Sequence, residues 1–288
     1  MTDKTITGHT DSWDTIITSG RGNLDFNLKE LWHYRDLLMM FVKKDIITVY
    51  KQTILGPIWF VVQPMLTSLM YLLIFNNIAK ISTGAVPPIL FYMLGTTLWN
   101  YFSDTLNMTS KTFTDNASIF GKVYFPRLIL PLSKVISGLI KFLIQFCLFT
   151  IILLYYVFIN KQVTPNWYLL LAPIWLFIIV LLSLSFGIII TSLTTKYRDL
   201  MFLIAFGIQL AMYATPVIIP LSEVHGRKRL IFLVNPLTSL FEAIKYGFLG
   251  KGVFDVNWLL YSVVFTVITL VLGIIIFNRV EKRFIDTV

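Results

Sequence analysis

The sequence predicts an all-α polytopic membrane protein with six transmembrane helices. Six apolar stretches, over roughly 57–79, 87–109, 132–159, 167–193, 200–220 and 256–278, alternate with short basic segments. Most reach the ~20 residues that cross ~30 Å of hydrocarbon at a rise of ~1.5 Å per residue. A 288-residue chain that is 56% hydrophobic and 14% charged, with a mean hydropathy of +0.76, carries more apolar surface than one soluble core can hide.

Residues 1–26 form a polar N-terminal segment rich in Thr, Ser, Asp and Gly, too poor in apolar side chains to pack firmly. Segment 27–55 reads as an amphipathic helix lying along the cytoplasmic interface. Leu31, Tyr34, Leu38, Phe41, Val42, Ile46 and Val49 recur at three- and four-residue steps, with Asp36, Lys43, Lys44 and Lys51 on the opposite face. Leu55-Gly56-Pro57 breaks that helix and starts span one. With no signal-peptide apolar core ahead of it, span one is expected to serve as its own insertion signal.

The six spans occupy the domain 56–288. Between spans two and three, the polar stretch 110–124 is long enough for a short helix lying across the membrane face, and Phe125-Pro126-Arg127 ends it. Between spans five and six, segment 221–255 holds two apolar pieces, about 230–234 and 237–249, flanking Asn235-Pro236. Both are too short to span, so helices that re-enter the outer leaflet part-way are expected there.

Charge placement gives the orientation. Lys and Arg number seven before Pro57, four between spans two and three, two after span four and three in the tail, 16 in all, against seven in the alternate segments. The positive-inside rule then puts both termini in the cytoplasm. The net charge of +9 reads as orientation and contact with anionic membrane lipid, with no nucleic-acid partner implied.

Catalytic and metal motifs are missing from the sequence. His9, His33 and His225 have no ligand spacing, and Cys147, alone inside span three, reads as a small buried apolar residue. No phosphate-cradling Gly-x-x-x-x-Gly-Lys-[Ser/Thr] loop occurs, so neither a cofactor nor nucleotide chemistry is expected of the chain itself. Ion-coupled transporters bury charged groups at mid-membrane. Here only Asp104 in span two and Lys141 near the start of span three approach that depth. Both read as rim anchors, and an external energy source fits better.

Several motifs taken in order resemble one family. Tyr34-Arg35-Asp36-Leu37-Leu38, Lys43-Lys44-Asp45, Leu55-Gly56-Pro57-Ile58-Trp59 and Gln63-Pro64 look like the interfacial helix and first span of ABC-2 type polysaccharide-export permeases. Phe125-Pro126-Arg127 with Leu130-Pro131-Leu132-Ser133 is similar to that family's stretch after its first cytoplasmic coupling helix. Tyr197-Arg198-Asp199, Thr215-Pro216-Val217, Asn235-Pro236-Leu237 and Glu281-Lys282-Arg283-Phe284 follow in the family's order.

The resemblance implies a homodimeric permease in a bacterial cytoplasmic (inner) membrane, served by two copies of a separate ATPase. It would export lipid-linked polysaccharide, O-antigen-like or teichoic acid-like, with no covalent chemistry of its own. Segment 110–124 would then be the coupling segment, with Thr114, Asp115, Asn116 and Phe120, together with Arg35 and Asp36, as ATPase contacts. A substrate channel would draw on Trp59, Gln63 and Asn77 of span one and Tyr92, Trp99 and Phe102 of span two. Flat rings and amides suit a sliding sugar chain, although the same aromatics also suit an interfacial belt or helix packing. The other readings are a permease for a drug or a lipid, and a membrane-embedded glycosyltransferase or polymerase. The last would need acid–base groups facing a cavity, and segment 221–255 shows no such constellation.

Overall fold

Twin faces on one short helix organise the start of the fold in the computed structural model, which describes residues 28–51, 56–84, 86–116, 119, 124–197 and 199–285. The polar segment 1–26 therefore lies outside the described residues, as do 52–55. Helices α1 (Leu28–His33) and α2 (Arg35–Lys51) are separated by a turn at Tyr34. Phe41 and Val42 are buried while Lys43 and Lys44 are exposed, so the amphipathic pattern is realised as one docked and one solvated face. The docked face packs on Phe125, Ile129 and Leu130, where Phe41 and Phe125 have ring centroids 6.0 Å apart.

Gly56, at φ +52°, takes the left-handed backbone that turns the chain into α3 (Trp59–Tyr71), which runs on into a π-helical turn over Leu72–Ile78. Next come α4 (Pro88–Ser110), the one-turn α5 (Thr112–Asp115) and α6 (Ile129–Phe158). A 3₁₀ turn, Trp167–Leu171, leads into α7 (Ala172–Lys196), and α8 covers Leu200–Tyr213. Two short helices, α9 (Arg227–Val234) and α10 (Pro236–Leu249), precede the long α11 (Val256–Ile285). Helix is the only extended secondary structure among the described residues.

Among the described residues, four helical stretches are long and apolar enough to cross a membrane: Trp59–Ile78, Ile129–Phe158, Trp167–Thr195 and Val256–Val280. The other two expected spans differ for separate reasons. Helix α4 has the length, 23 residues, but Thr96, Thr97, Asn100, Asp104 and Thr105 dilute its apolarity. Those groups are tolerated because α4 is the hub of the bundle, packed against α3, α6, α7 and α10, with most of its residues buried. Helix α8 has only 14 residues. The expectation of an apolar helix to residue 220 is corrected here: the chain leaves helix at Ala214, ahead of Pro216, which lacks the N–H a helix needs.

Close helix approach depends on missing side chains. A Cβ on Gly187 of α7 would lie 2.8 Å from Thr109 of α4, so the small residue lets the two backbones meet. Gly250 ends α10 in the left-handed conformation at φ +70°, and a Cβ there would sit 2.1 Å from the Thr164 carbonyl oxygen. Cys147, expected to be buried, lies exposed on α6. Lipid-facing and core-facing positions of such a helix are equally apolar, so sequence does not separate them.

Candidate functional site

The two segments expected to meet a partner share one apolar cluster. Leu31, Tyr34, Leu37 and Leu38 from α1–α2 and Ile119 from the polar stretch all pack on Phe41, Phe125, Ile129 and Leu130. The Tyr124 hydroxyl donates to Glu30 at 3.5 Å. On the solvated side, Arg35 lies 3.9 Å from Asp36, both exposed, and its guanidinium sits 5.6 Å from the Trp32 ring. An ion pair this exposed contributes little to stability, which leaves both residues available to a partner.

Within the polar stretch, α5 presents Asp115 to solvent and Thr114 partly so, the Thr114 hydroxyl donating to the Lys111 carbonyl at 2.9 Å. Asn116 is turned inward, 5% exposed, its amide donating to the Thr112 carbonyl at 2.8 Å. Phe120 lies outside the described residues. One anchor escaped sequence reasoning: Phe113 is buried and stacks on Phe277 of α11, centroids 5.5 Å apart. Hydroxyls also hold the end of α4, since Thr194 of α7 donates to the Ser110 carbonyl at 2.8 Å.

The six residues expected to line a channel divide by helix. Trp59, Gln63 and Asn77 are exposed along α3 and its π-turn, as is Met70. Tyr92, Trp99 and Phe102 of α4 are buried in the core of the single chain. Tyr92 stands edge-on to Tyr71 at 6.1 Å, and Trp99 packs on Phe102 at 5.8 Å.

Where α2, α3, α4 and α6 meet, a cavity of about 280 Å³ opens. Its charged members are paired: Lys141 of α6 hydrogen-bonds Asp104 of α4, and Lys134 lies 2.6 Å from Asp45 of α2. Ser137 adds a hydroxyl to Asp45 at 3.3 Å. Lys141 also stands 5.5 Å from the Phe60 ring centroid. Asp104 and Lys141, which looked like separate rim anchors, are thus one inter-helix ion pair.

A second charged pair is wholly buried between α10 and the break after α8. The Lys245 ammonium donates to the Pro216 carbonyl, sits 3.7 Å from the Phe91 ring centroid and lies 3.7 Å from Glu242. The second Glu242 oxygen accepts from the Val253 N–H at 3.3 Å. Burial lowers the Lys245 pKa to about 8 despite the opposing Glu242 charge. It raises the Glu242 pKa against the pull of Lys245 and the Val253 N–H. Asn235, at the α9–α10 junction, ties the same break with hydrogen bonds of 3.1 Å to the Ala214 carbonyl and 2.8 Å to Thr215. Among the described residues no group of three or more His, Cys, Asp or Glu is placed to hold a metal ion.

Residues 36–249 match the ABC-2 type transporter family. The chain is similar to proteins named O-antigen export system permease protein RfbA. One from Myxococcus xanthus is 26% identical over 91% of this chain and 98% of its own. Two from Klebsiella pneumoniae are 27% and 28% identical over the same shares of each chain.

Proposed function

Because this chain belongs to the ABC-2 type transporter family, we propose that it is the membrane subunit of an ATP-driven exporter, moving lipid-linked polysaccharide outward across a bacterial cytoplasmic membrane. The observation that carries the reading is its similarity, along nearly its whole length, to permeases named for O-antigen export. Its four long apolar helices fit a multi-pass membrane protein. We assign six spans by adding α4, which the bundle covers, and α8 with the turn that follows it. In this reading α9 and α10 re-enter from the outer face, and both termini are cytoplasmic.

Two copies of a separate ATPase would dock below, on Thr114, Asp115, Asn116 and Phe120 of the coupling segment and on Arg35 and Asp36 of α2. ATP-driven movement must reach the permease through contacts that differ between states. The permease is proposed as a homodimer. Trp59, Gln63 and Asn77 face the pathway directly, while Tyr92, Trp99 and Phe102 come into contact with polymer where α4 parts from α3. The pathway takes an amphiphilic polymer and requires no covalent step from this chain.

The test is restoration of export. In a polymer-producing host lacking its own permease, this chain co-expressed with a partner ATPase should return polymer to the cell surface. The ATPase alone, or the chain with an ATPase unable to hydrolyse ATP, should not. Stoichiometric ATP binding by the purified permease without its partner would overturn the division of labour.

A further inference from the structure

We propose that α9 anchors the outer segment to anionic phospholipid: Arg227, Lys228 and Arg229 hold headgroup phosphates while Leu230, Ile231 and Val234 enter the acyl chains. This rests on the reading of 221–255 as an outer re-entrant segment, and it needs no step of polymer export.

Positive charge is concentrated here against the general rule. Outer segments are poor in Lys and Arg, yet five of the seven on that side fall within 221–255, and three of the five are consecutive. Arg227, Lys228 and Arg229 are all exposed, and none is ion-paired among the described residues. Glu223, the nearest carboxylate along the chain, is exposed as well. Cations in the first turn of a helix oppose its dipole, so helix stability does not account for them. An anionic partner does.

Polarity on α9 divides end to end rather than by face. The three cations open the helix, every later residue is apolar, and none of the eight is buried. Leu230, Ile231 and Val234 are 56%, 64% and 61% exposed, whereas α10, which follows at once, buries every residue except Tyr246. The bundle holds α9 at its apolar end, where the Val234 carbonyl accepts from the Tyr261 hydroxyl at 2.9 Å. Eight residues rise ~12 Å, enough to pass from headgroups into acyl chains but under half of a ~30 Å hydrocarbon core. A phospholipid matches both ends at once, phosphate for the cations and acyl chains for the apolar turn. Free phosphate would leave the apolar turn in water. A second copy meeting α9 across a twofold axis would set the same three cations against these.

The experiment places full-length permease with its ATPase in lipid nanodiscs, in a Cys147→Ser background. A bimane fluorophore sits on one cysteine, Ile231→Cys in α9 or Ile151→Cys on the exposed side of α6. Phosphatidylglycerol and phosphatidylcholine, each with a nitroxide quencher on the same upper acyl carbon, are compared at equal mole fraction. At Ile231→Cys the phosphatidylglycerol should quench several-fold more, and high salt should shrink that preference by screening. Replacing Arg227, Lys228 and Arg229 together by Gln should abolish the preference while quenching by phosphatidylcholine persists; Ile151→Cys should show no preference. Equal quenching by the two lipids overturns the anchor, as does a preference that excess inorganic phosphate removes. Quenching by neither lipid means that protein covers α9, and overturns it too. The leaflet is read separately in spheroplasts, with Lys228→Cys and an impermeant maleimide. Labelling only after the membrane is opened overturns the outer reading; outer labelling with unselective quenching overturns the anchor alone.

Discussion

The Phe113 ring stacks on Phe277, 5.5 Å between centroids and 27° between planes, pinning the start of the polar 110–124 stretch to the last helix. Phe113 thus ties α5 by direct contact to α11. Asp115, two residues on, faces solvent. Asp115→Lys should weaken co-purification of the ATPase and cut export several-fold with normal membrane insertion. Phe113→Ala should instead loosen the permease itself, by about 3–5 kcal/mol if the cavity does not collapse, read as a lower unfolding midpoint in detergent. Normal export by Asp115→Lys would make the stretch an ordinary connector.

The buried Lys245–Glu242 pair makes a sharper stability prediction. Removing one partner takes away the charge that offsets the other's burial, leaving a buried polar group uncompensated at a cost of about 3–5 kcal/mol. Lys245→Met and Glu242→Leu should each lower the unfolding midpoint strongly, while the double variant should recover most of the loss. A double variant as unstable as the sum of the singles would mean that packing against Phe91 and Pro216, rather than charge compensation, dominates.

These two sites also mark where sequence reading stops. The amphipathic helix over Arg35–Lys51 and the break at Asn235-Pro236 were legible because their signals are local: a three- and four-residue rhythm, and an Asn-Pro step between two short apolar pieces. The Asp104–Lys141 pair was not, because its members are 37 residues apart and meet only once α4 packs on α6. Phe113 was hidden by its polar neighbours, which set the apparent character of the stretch. The burial of Tyr92, Trp99 and Phe102 was equally out of reach, since a sequence rich in aromatics does not say which helix will be surrounded. The π-helical geometry over Leu72–Ile78 was hidden too, so the α-helical spacing that put Trp59, Gln63 and Met70 on one face does not carry over to Asn77.

Orientation is tested without any transport assay. The 16-to-seven distribution of Lys and Arg predicts cytoplasmic termini and an outer 221–255 segment. Fusions after residue 288 should therefore report from the cytoplasm. Single cysteines at Ser222 and Lys228, both exposed, should react with a membrane-impermeant maleimide in intact spheroplasts. A fusion at residue 288 that reports from outside would invert the whole arrangement.

The last prediction concerns assembly. Only 11% of the apolar window of Trp59–Ile78 is buried in the single chain, yet that stretch carries Gln63 and Asn77, both exposed. Amide side chains at membrane depth are costly against lipid and are found facing protein or a water-filled path. A second copy related by a twofold axis offers both, because each chain presents the same face to the other. One bundle with helix axes packed at ~8–10 Å leaves no comparable passage. Cysteines at Gln63 or Asn77, in a Cys147→Ser background, should therefore cross-link into dimers through a short bismaleimide, whereas a cysteine at Ile151, exposed on α6, should not. Gln63→Leu should lower export more than it lowers the amount of permease in the membrane. Cross-links from Ile151 and none from either α3 position would move the interface to α6 and detach the pathway from α3.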